Sequence, residues 1–366
     1  VWETSSEDDK KEAFEFCELY KEFLDKAKTE REFTAEAEKL AKENGFVPLD
    51  DIIKANKKLV PGMKVYQVNR NKAVILSIIG SDPIQEGVNI VGAHIDAPRI
   101  DLKQNPLYED TGFALLKTHY YGGIKKYQWV TIPIAMHGVI IKRDCSVVNI
   151  NIGEDDSDPV FTITDLLPHL AQDQMQKKMS EGITGEGLNP LVGSIPYNDS
   201  KVKDKVKLNI LKLLNDKYGI VEEDFISAEL ELVPAFKAKD IGFDRSLVGA
   251  YGQDDRVCSY TALKAILDAK NVKRTSICLL TDKEEIGSIG NTGAESTFFE
   301  NFLANLCALS TDNYSDIILR NCLIRSKMLS ADVNPGVDPN YEGVQDKRNA
   351  SYLGKGLVLQ KYTGSR

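Results

Sequence analysis

The stretch VNIVGAHIDAPR, residues 88–99, decides the fold of this chain. Its first half is apolar apart from Asn89, which indicates a buried strand. His94 and Asp96 follow two residues apart, so their side chains point to the same face of the strand. This pair fits a metal-binding imidazole with a carboxylate that fixes its orientation. A histidine satisfied by a neighbour at the end of a strand is the alternative interpretation.

Helical and strand-like segments lie on both sides of this central strand. Residues 10–44 repeat apolar and charged positions at helical spacing and end at Gly45, which predicts two opening helices. Residues 64–80 predict a hairpin with its turn at residues 69–71. From residue 246 onward, helices and strands alternate in the segments VCSYTALKAILDA, SICLLT, FFENFLANLCALS and KMLSADV. This alternation predicts an α/β fold with a mixed, largely parallel sheet flanked by helices.

The middle of the chain differs from the rest in composition and residue pattern. Residues 102–231 are rich in tyrosine and glycine at first and then alternate as strands do in GVIIKRDCSVVNINIG. A helix near Asp165, in TDLLPHLAQDQMQKKMS, and another at NILKLLNDKYG are predicted within it. We therefore predict an inserted, strand-rich second domain at residues 102–231, which splits a catalytic domain into residues 1–101 and 232–366.

Bulk composition excludes several classes of protein. The 366 residues are 42% hydrophobic and 28% charged, as in a globular protein large enough for two domains. The 46 basic and 55 acidic residues give a net charge of −9, which argues against a nucleic-acid partner. The chain has no run long enough for a membrane span and no secretory leader, so we expect no membrane partner and a cytoplasmic location. The six scattered cysteines predict reduced thiols.

Two aspartates precede the predicted helix in the segment YGQDDR. Either side chain is suited to cap the helix. A carboxylate that bridges two cations needs both of its oxygens free, and Asp254 lies further from the start of the helix than Asp255 does. We therefore expect Asp254 to be a metal ligand and Asp255 to be the cap.

Adjacent glutamates, Glu284 and Glu285, follow the apolar strand SICLLT. Open sheets bind ligands beyond the carboxyl ends of such strands, so a function is favoured over a solvated surface pair. Since neighbouring side chains do not both point one way, we expect one carboxylate on a metal and the other as a general base. The glycine-rich segment after them lacks the Lys-Ser/Thr ending of a phosphate loop, so we expect no bound nucleotide.

A further carboxylate, Asp332, ends the short strand KMLSAD before the turn NPGVDPN. By itself it fits the start of an Asx turn. Together with the groups described above, however, it completes most of the ligand set that two divalent ions held about 3.5 to 4 Å apart need.

In their order and with the large insertion between them, these segments resemble the aspartyl aminopeptidase and yeast aminopeptidase I family of dinuclear zinc exopeptidases. The resemblance covers most of the chain. It rests on YGG at residues 121–123, on residues 233–263, on EEIGS at residues 284–288 and on SADVNPGVDPNY at residues 330–341. It implies a zinc-exopeptidase-like fold, peptide substrates, and an inserted domain for dimerisation or oligomerisation, with homo-oligomers that are often dodecamers.

The resemblance also implies roles for the residues at the matching positions. The implied metal ligands are His94, Asp254, Glu285 and Asp332. Asp254 would bridge two divalent ions, zinc in the first place, with cobalt or manganese as alternatives. The implied catalytic residues are Glu284 as general base and Asp96 as the support of His94.

Two departures from the family pattern affect these expectations. The family's last metal-binding histidine lies near the C-terminus, whereas the histidines here, His94, His119, His137 and His169, all precede the second half of the chain. We therefore expect the last ligand and the final part of the catalytic domain to be missing, which would weaken metal binding and activity. Asp338 stands where several members carry a histidine near the substrate, so the preferred N-terminal residue stays open.

The leading hypothesis is a metal-dependent aminopeptidase. In this hypothesis two ions polarise the scissile carbonyl and acidify a bridging water, and Glu284 takes the proton of that water and passes it to the leaving amine. A dinuclear amidohydrolase or deacylase is an alternative, because such a metal site does not choose the substrate. A self-assembling scaffold with an inactive peptidase core is a second alternative.

Overall fold

The computed structural model describes residues 1–361, so the last five residues of the predicted catalytic domain, 362–366, lie outside the described residues. Its α-helices are α1 (Glu7–Lys26), α2 (Glu30–Glu43), α3 (Leu49–Lys54), α4 (Gln172–Met175), α5 (Met179–Gly182), α6 (Lys205–Tyr218), α7 (Gln253–Asp268), α8 (Phe298–Ser310) and α9 (Asp316–Arg325). Its strands are β1 (Val47–Pro48), β2 (Lys64–Asn69), β3 (Ala73–Ile78), β4 (Asn89–His94), β5 (Arg99–Asp110), β6 (Phe113–Tyr121), β7 (Ile134–Ile141), β8 (Val147–Ile152), β9 (Leu191–Gly193), β10 (Ala228–Pro234), β11 (Lys239–Ile241), β12 (Leu247–Gly249), β13 (Ser276–Thr281) and β14 (Lys327–Ser330).

A six-stranded mixed sheet forms the first half of the fold, in the order β1-β2-β3-β13-β4-β14. Strands β2 and β3 are the predicted antiparallel hairpin, and its turn holds Arg70 and Asn71 at positive φ, as a tight hairpin turn requires. On the other side, β13, β4 and β14 run parallel to one another. The predicted α/β fold with helices flanking the sheet is confirmed, and the parallel strands gather around β4.

Helices cover both faces of this sheet, which explains why its central strands are apolar throughout. All six residues of β3 and five of the six in β13 are buried. On one face, α1, α2 and α7 pack around Phe33 and Leu263. On the other face, α3, α8 and α9 pack around Leu49 and Phe302. In a strand that is buried on both faces, polar and apolar residues therefore do not alternate.

A second sheet is entirely antiparallel, in the order β8-β7-β10-β5-β6-β9. It has its own core, in which α6 packs over Ile140 and Leu230. Its strands run from Arg99 to Pro234, slightly beyond the predicted insertion at residues 102–231. The division into two domains stays a prediction, with which a separate second core is consistent.

The helix predicted near Asp165 is wrong. The segment forms turns and only two four-residue helices, α4 and α5. Leu166, Leu167 and Leu170 are exposed, so no neighbouring element receives an apolar helix face there. Without such packing a short helix is marginal in water.

An ionic cluster joins the two sheets. The buried Arg99 guanidinium, at the start of β5, lies 3.2 Å from Glu30 of α2 and 3.2 Å from Glu231 of β10, and it donates to Asp101 at 2.8 Å. Lys72 lies 2.9 Å from the second oxygen of Glu30. These contacts hold the second sheet against α2, close to the carboxyl end of β4.

All six cysteines are free thiols, as predicted, and Cys278, Cys307 and Cys322 are buried. Within residues 1–361, no helix is both long and apolar enough to span a bilayer.

Candidate metal centre

Three adjacent parallel strands end at one edge of the first sheet, and each is followed by a residue with a possible metal ligand. Thr281 of β13 pairs with His94 of β4, so the residues after β13 emerge beside the imidazole. Ser330 of β14 pairs with Gly92, which places Asp332 and His94 two residues beyond the same aligned pair. The side chains that follow the three strands therefore converge at the carboxyl edge, where open sheets bind ligands.

The start of α7 brings a fourth segment to this edge. Gly252 has φ +77°, and a Cβ at this position would lie within 1.7 Å of the Arg256 guanidinium, so only glycine fits. The peptide between Asp254 and Asp255 is cis. Asp255 is buried and accepts the Cys258 N–H at 3.3 Å, as a helix cap does. Asp254 is half exposed and faces His94 instead.

The buried imidazole of His94 lies at the centre of the cluster. Its Nδ1 lies 3.0 Å from the main-chain oxygen of Asp96. Its Nε2 points towards three carboxylates, at 3.1 Å from Asp254 Oδ1, 3.8 Å from Glu284 Oε2 and 3.9 Å from Asp332 Oδ1. A hydrogen bond at Nδ1 orients the ring so that Nε2 is the free ligand atom, which is the usual arrangement for a metal-binding histidine.

Asp96 collects hydrogen bonds from three segments although its side chain is fully buried. Its Oδ1 accepts the Glu284 N–H at 3.1 Å and lies 3.3 Å from His94 Nδ1. Its Oδ2 accepts the Glu285 N–H at 3.2 Å and the Tyr121 hydroxyl at 2.7 Å. This one carboxylate therefore links the end of β4, the loop after β13 and the end of β6.

Two groups of three possible ligands share the His94 imidazole. In each group, one donor atom per residue lies within 4.8 Å of the others, and the groups are His94, Asp254 and Asp332, and His94, Glu284 and Glu285. Imidazole nitrogen and carboxylate oxygens are donors that zinc takes in catalytic sites, so the residues present fit divalent ions of this kind. A third group, Glu30, Glu229 and Glu231, is occupied by the Arg99 and Lys72 cations described above.

The electrostatics of the cluster favour a cation. Burial lowers the pKa of His94, but its hydrogen bonds to Asp254 and Asp96 outweigh burial and raise that pKa to about 11. Burial and the neighbouring Asp254 raise the pKa of Glu285 to about 7, and burial raises the pKa of Glu284 as well. Crowded carboxylates that raise one another's pKa gain from a positive charge placed among them. A divalent ion would supply that charge and take the imidazole in its neutral form.

The structure thus brings all six residues singled out from the sequence to one place: His94, Asp96, Asp254, Glu284, Glu285 and Asp332. Asp338 is exposed and accepts the Asn340 N–H of its own turn at 2.8 Å. Tyr121 is the residue that sequence reasoning missed. The YGG segment contributes to the family resemblance, but nothing in its spacing indicates that its tyrosine reaches the aspartate that follows β4.

Comparison with known proteins gives consistent matches. The model of the family described as aminopeptidase I zinc metalloprotease (M18) matches residues 23–366. A Clostridium acetobutylicum protein named "Probable M18 family aminopeptidase 1" is 55% identical over 366 residues, which cover 100% of this chain and 78% of that protein. A Thermotoga maritima protein of the same name is 49% identical over 358 residues, covering 98% of this chain and 77% of that one.

Solved structures agree with these matches. The crystal structure of an M18-family aminopeptidase from Thermotoga maritima has a TM-score of 0.90 and 46% identity, covering 97% of this chain and 76% of that one. The structure titled as the S. cerevisiae mApe1 dodecamer has a TM-score of 0.71 at 21% identity and covers 92% of this chain and 76% of that one, so it shows a shared fold alone.

Proposed function

Because this chain belongs to the aminopeptidase I family of M18 zinc metalloproteases and is thereby a metal-dependent aminopeptidase, we propose that the cluster around His94 is its catalytic centre. The single observation that carries this proposal is the convergence of three carboxylates on the Nε2 atom of one buried histidine at the end of β4: Glu284 follows β13, Asp332 follows β14, and Asp254 comes from the start of α7.

The proposed ligands fall into two sets that share Asp254. His94, Asp254 and Asp332 would hold one zinc ion, and Asp254 with Glu285 would hold a second. The 4.8 Å grouping of the His94, Asp254 and Asp332 donor atoms supports the first set. Support for the second set comes from the pKa of Glu285, which burial and the neighbouring Asp254 raise to about 7. When bound, the two ions would polarise the scissile carbonyl and lower the pKa of the attacking water.

Glu284 is the proposed general base. Its carboxylate is half exposed and lies 3.8 Å from His94 Nε2, so it reaches the same space as the ligands and remains open to water and substrate. Burial raises its pKa, which brings the carboxylate closer to the strength that a base needs near neutral pH. Glu284 takes a proton from the attacking water and delivers it to the leaving amine of the N-terminal residue.

Asp96 is the proposed support of this arrangement. It accepts the main-chain N–H groups of both Glu284 and Glu285, and its side chain lies beside His94 Nδ1. It therefore orients the base and two ligands at once.

The Glu284→Gln variant of the full-length protein tests the assignment. We expect kcat for leucyl, glutamyl and aspartyl anilides to fall by about 10² to 10⁴, because an amide of the same shape takes no proton. Zinc content, measured by atomic emission, should stay at the wild-type value, since the ligand positions are unchanged. Glu300→Gln, at an exposed position on α8, is the matched control.

Retention of normal turnover by Glu284→Gln would remove Glu284 from the mechanism. Turnover of N-acyl amino acids in preference to free N-terminal residues would contradict the assignment of the centre to aminopeptidase chemistry.

We also propose that the protein is a homo-oligomer and acts in the cytoplasm. The related yeast structure is described as a dodecamer, and the loop between β8 and β9 exposes a group of apolar side chains, Leu166, Leu167, Leu170, Met175 and Met179. Sedimentation velocity gives the mass of the assembly. Six free thiols support a reducing compartment, which fractionation of the source cells tests.

A further inference from the structure

The YGG segment, residues 121–123, lies at the end of β6 in the second sheet, yet it contacts the metal centre of the first sheet. The ligands and the base proposed above come from the first sheet and the start of α7. None of these proposed ligands, nor the proposed base, belongs to the second sheet.

Tyr121 is held on two sides. Its hydroxyl donates to Asp96 Oδ2 at 2.7 Å, the shortest of the hydrogen bonds that Asp96 accepts. Its ring lies against the Arg99 guanidinium, whose carbon is 3.9 Å from the ring centroid. Arg99 is itself fixed by Glu30 and Glu231, so the ring rests on a rigid support.

The next residue makes a second contact with the centre. Gly122 has φ +74°, and a Cβ on it would lie 3.2 Å from both Cβ and Oε2 of Glu285 and 3.4 Å from Pro98 Cα. The chain of the second sheet therefore passes directly behind one of the proposed ligands. A side chain at this position would be strained and would crowd Glu285.

We propose that Tyr121 is a positioning residue of the metal centre: its hydroxyl fixes the Asp96 carboxylate, which in turn orients His94, Glu284 and Glu285. This inference rests on the proposed function of the cluster. In this proposal the second sheet contributes a residue that orients the catalytic centre.

The physical argument follows from the two oxygens of Asp96. Oδ1 faces His94 and the Glu284 N–H, whereas the partners of Oδ2 among residues 1–361 are the Tyr121 hydroxyl and the Glu285 N–H. Without the hydroxyl, Oδ2 loses its shorter hydrogen bond and keeps the 3.2 Å bond from the Glu285 N–H in a fully buried place, so the carboxylate is held less firmly on that side. Partners that orient a ligand in this way typically change metal affinity or activity by about tenfold to a hundredfold.

Tyr121→Phe is the decisive variant, because it keeps the ring on Arg99 and removes only the hydroxyl. Tyr66→Phe is the matched control, since Tyr66 is also a buried strand tyrosine whose hydroxyl donates to a carboxylate, Glu38, at 2.9 Å. The measurements on the full-length protein are zinc affinity by competition with a chromophoric chelator, the visible spectrum of the cobalt-loaded protein, kcat and KM for a leucyl anilide, and the urea midpoint.

We expect Tyr121→Phe to bind zinc about tenfold more weakly and to lower kcat by at least tenfold, with KM changed less than twofold and an altered cobalt spectrum. Tyr66→Phe should lower the urea midpoint without changing affinity, kcat or the spectrum. If Tyr121 contributes only to packing, both variants will lose stability alike and keep wild-type zinc affinity and kcat within twofold, which overturns the inference.

Asp254→Asn separates this inference from the proposed function. Weakened zinc binding in Asp254→Asn together with an unchanged Tyr121→Phe protein would overturn the inference alone. Unchanged zinc binding in Asp254→Asn would overturn the proposed centre and the inference with it.

Discussion

At the scale of the residue, charged side chains buried near the junction of the two sheets depend on partners from distant parts of the chain. His137 of β7 is an example, with Nδ1 2.7 Å from Glu32 of α2 and Nε2 3.0 Å from Glu154 after β8. Lys28 lies 2.6 Å from the same oxygen of Glu154. Burial lowers the pKa of His137, but the hydrogen bonds to Glu154 and Glu32 outweigh burial, so the pKa lies above its usual value of 6.5.

This raised pKa predicts a pH-dependent contribution to stability. A histidine whose pKa is raised by folding stabilises fully below its unfolded pKa, near 6.5, and the contribution is lost as pH rises through the folded pKa. His137→Gln should therefore lower the free energy of unfolding more at pH 6 than at pH 10, measured by urea denaturation. His169→Gln, at an exposed position, is the control and should show no such trend. A loss that is the same at both pH values would contradict a protonated His137.

The capping role of Asp255 was predictable at this scale, and the contact of a tyrosine with Asp96 was not; Asp254 as a metal ligand stays a prediction. Distance from the helix start separates Asp254 from Asp255, and the structure has Asp255 accepting the helix N–H. Tyr121 and Asp96 are 25 residues apart, and Tyr121 ends a strand of the second sheet whereas Asp96 follows β4 of the first, so their hydrogen bond depends on how the sheets pack.

At the scale of the element, single strands and helices bring charged groups from different layers into contact. Arg99 opens β5 and bonds to Glu30 of α2 and Glu231 of β10, so three elements meet at one guanidinium. A buried charge in this situation depends on its partners, because removing one member leaves the others unpaired in a place without water.

Arg99→Met should therefore destabilise the protein by about 3 to 5 kcal/mol, since it removes the cation that pairs with the buried Glu231 and leaves Glu30 with Lys72 alone. Arg31→Met is the control. Arg31 follows Glu30 on α2 and pairs with Glu229, which lies on β10 as Glu231 does, but this pair is partly exposed. Arg31→Met should cost about 0 to 1 kcal/mol. Urea unfolding gives both values, and equal losses in the two variants would show that the Arg99 cluster is not the element that joins the sheets.

Element prediction succeeded where apolar periodicity reflects burial and failed where it does not. The hairpin, the central strand and the helices after residue 246 each have a neighbour that covers their apolar face. The segment after Asp165 has leucines at suggestive spacing, but those leucines are exposed, and the helix is absent.

At the scale of the whole molecule, two separate cores are joined across the Arg99 cluster, and the segment between β8 and β9 exposes apolar side chains. The exposed side chains of residues 166–179 include Leu170 and Met175, whose exposed fractions are 67% and 73%. Surfaces of this kind often mark contacts between subunits.

If this surface joins subunits, the double variant Leu170→Asp and Met175→Asp should reduce the mass found by sedimentation velocity, because charges in an apolar interface oppose association. Leu19→Asp, at an exposed apolar position on α1, is the control and should keep the wild-type mass. An unchanged assembly in the double variant would place the subunit contact elsewhere.

The sequence by itself determined the elements around β4 and pointed to the six residues of the candidate site, five of them at or after strand ends and Asp254 at the start of a helix. Apolar runs and the polar residues that follow them are local patterns. Such patterns involve consecutive residues, so the sequence shows them directly. Only the tertiary structure decided which oxygen of Asp96 faces which donor, that Tyr121 reaches it, and that Arg99 holds the two sheets together. Those contacts depend on the packing of one sheet against the other, and sequence spacing does not encode distances across such a junction.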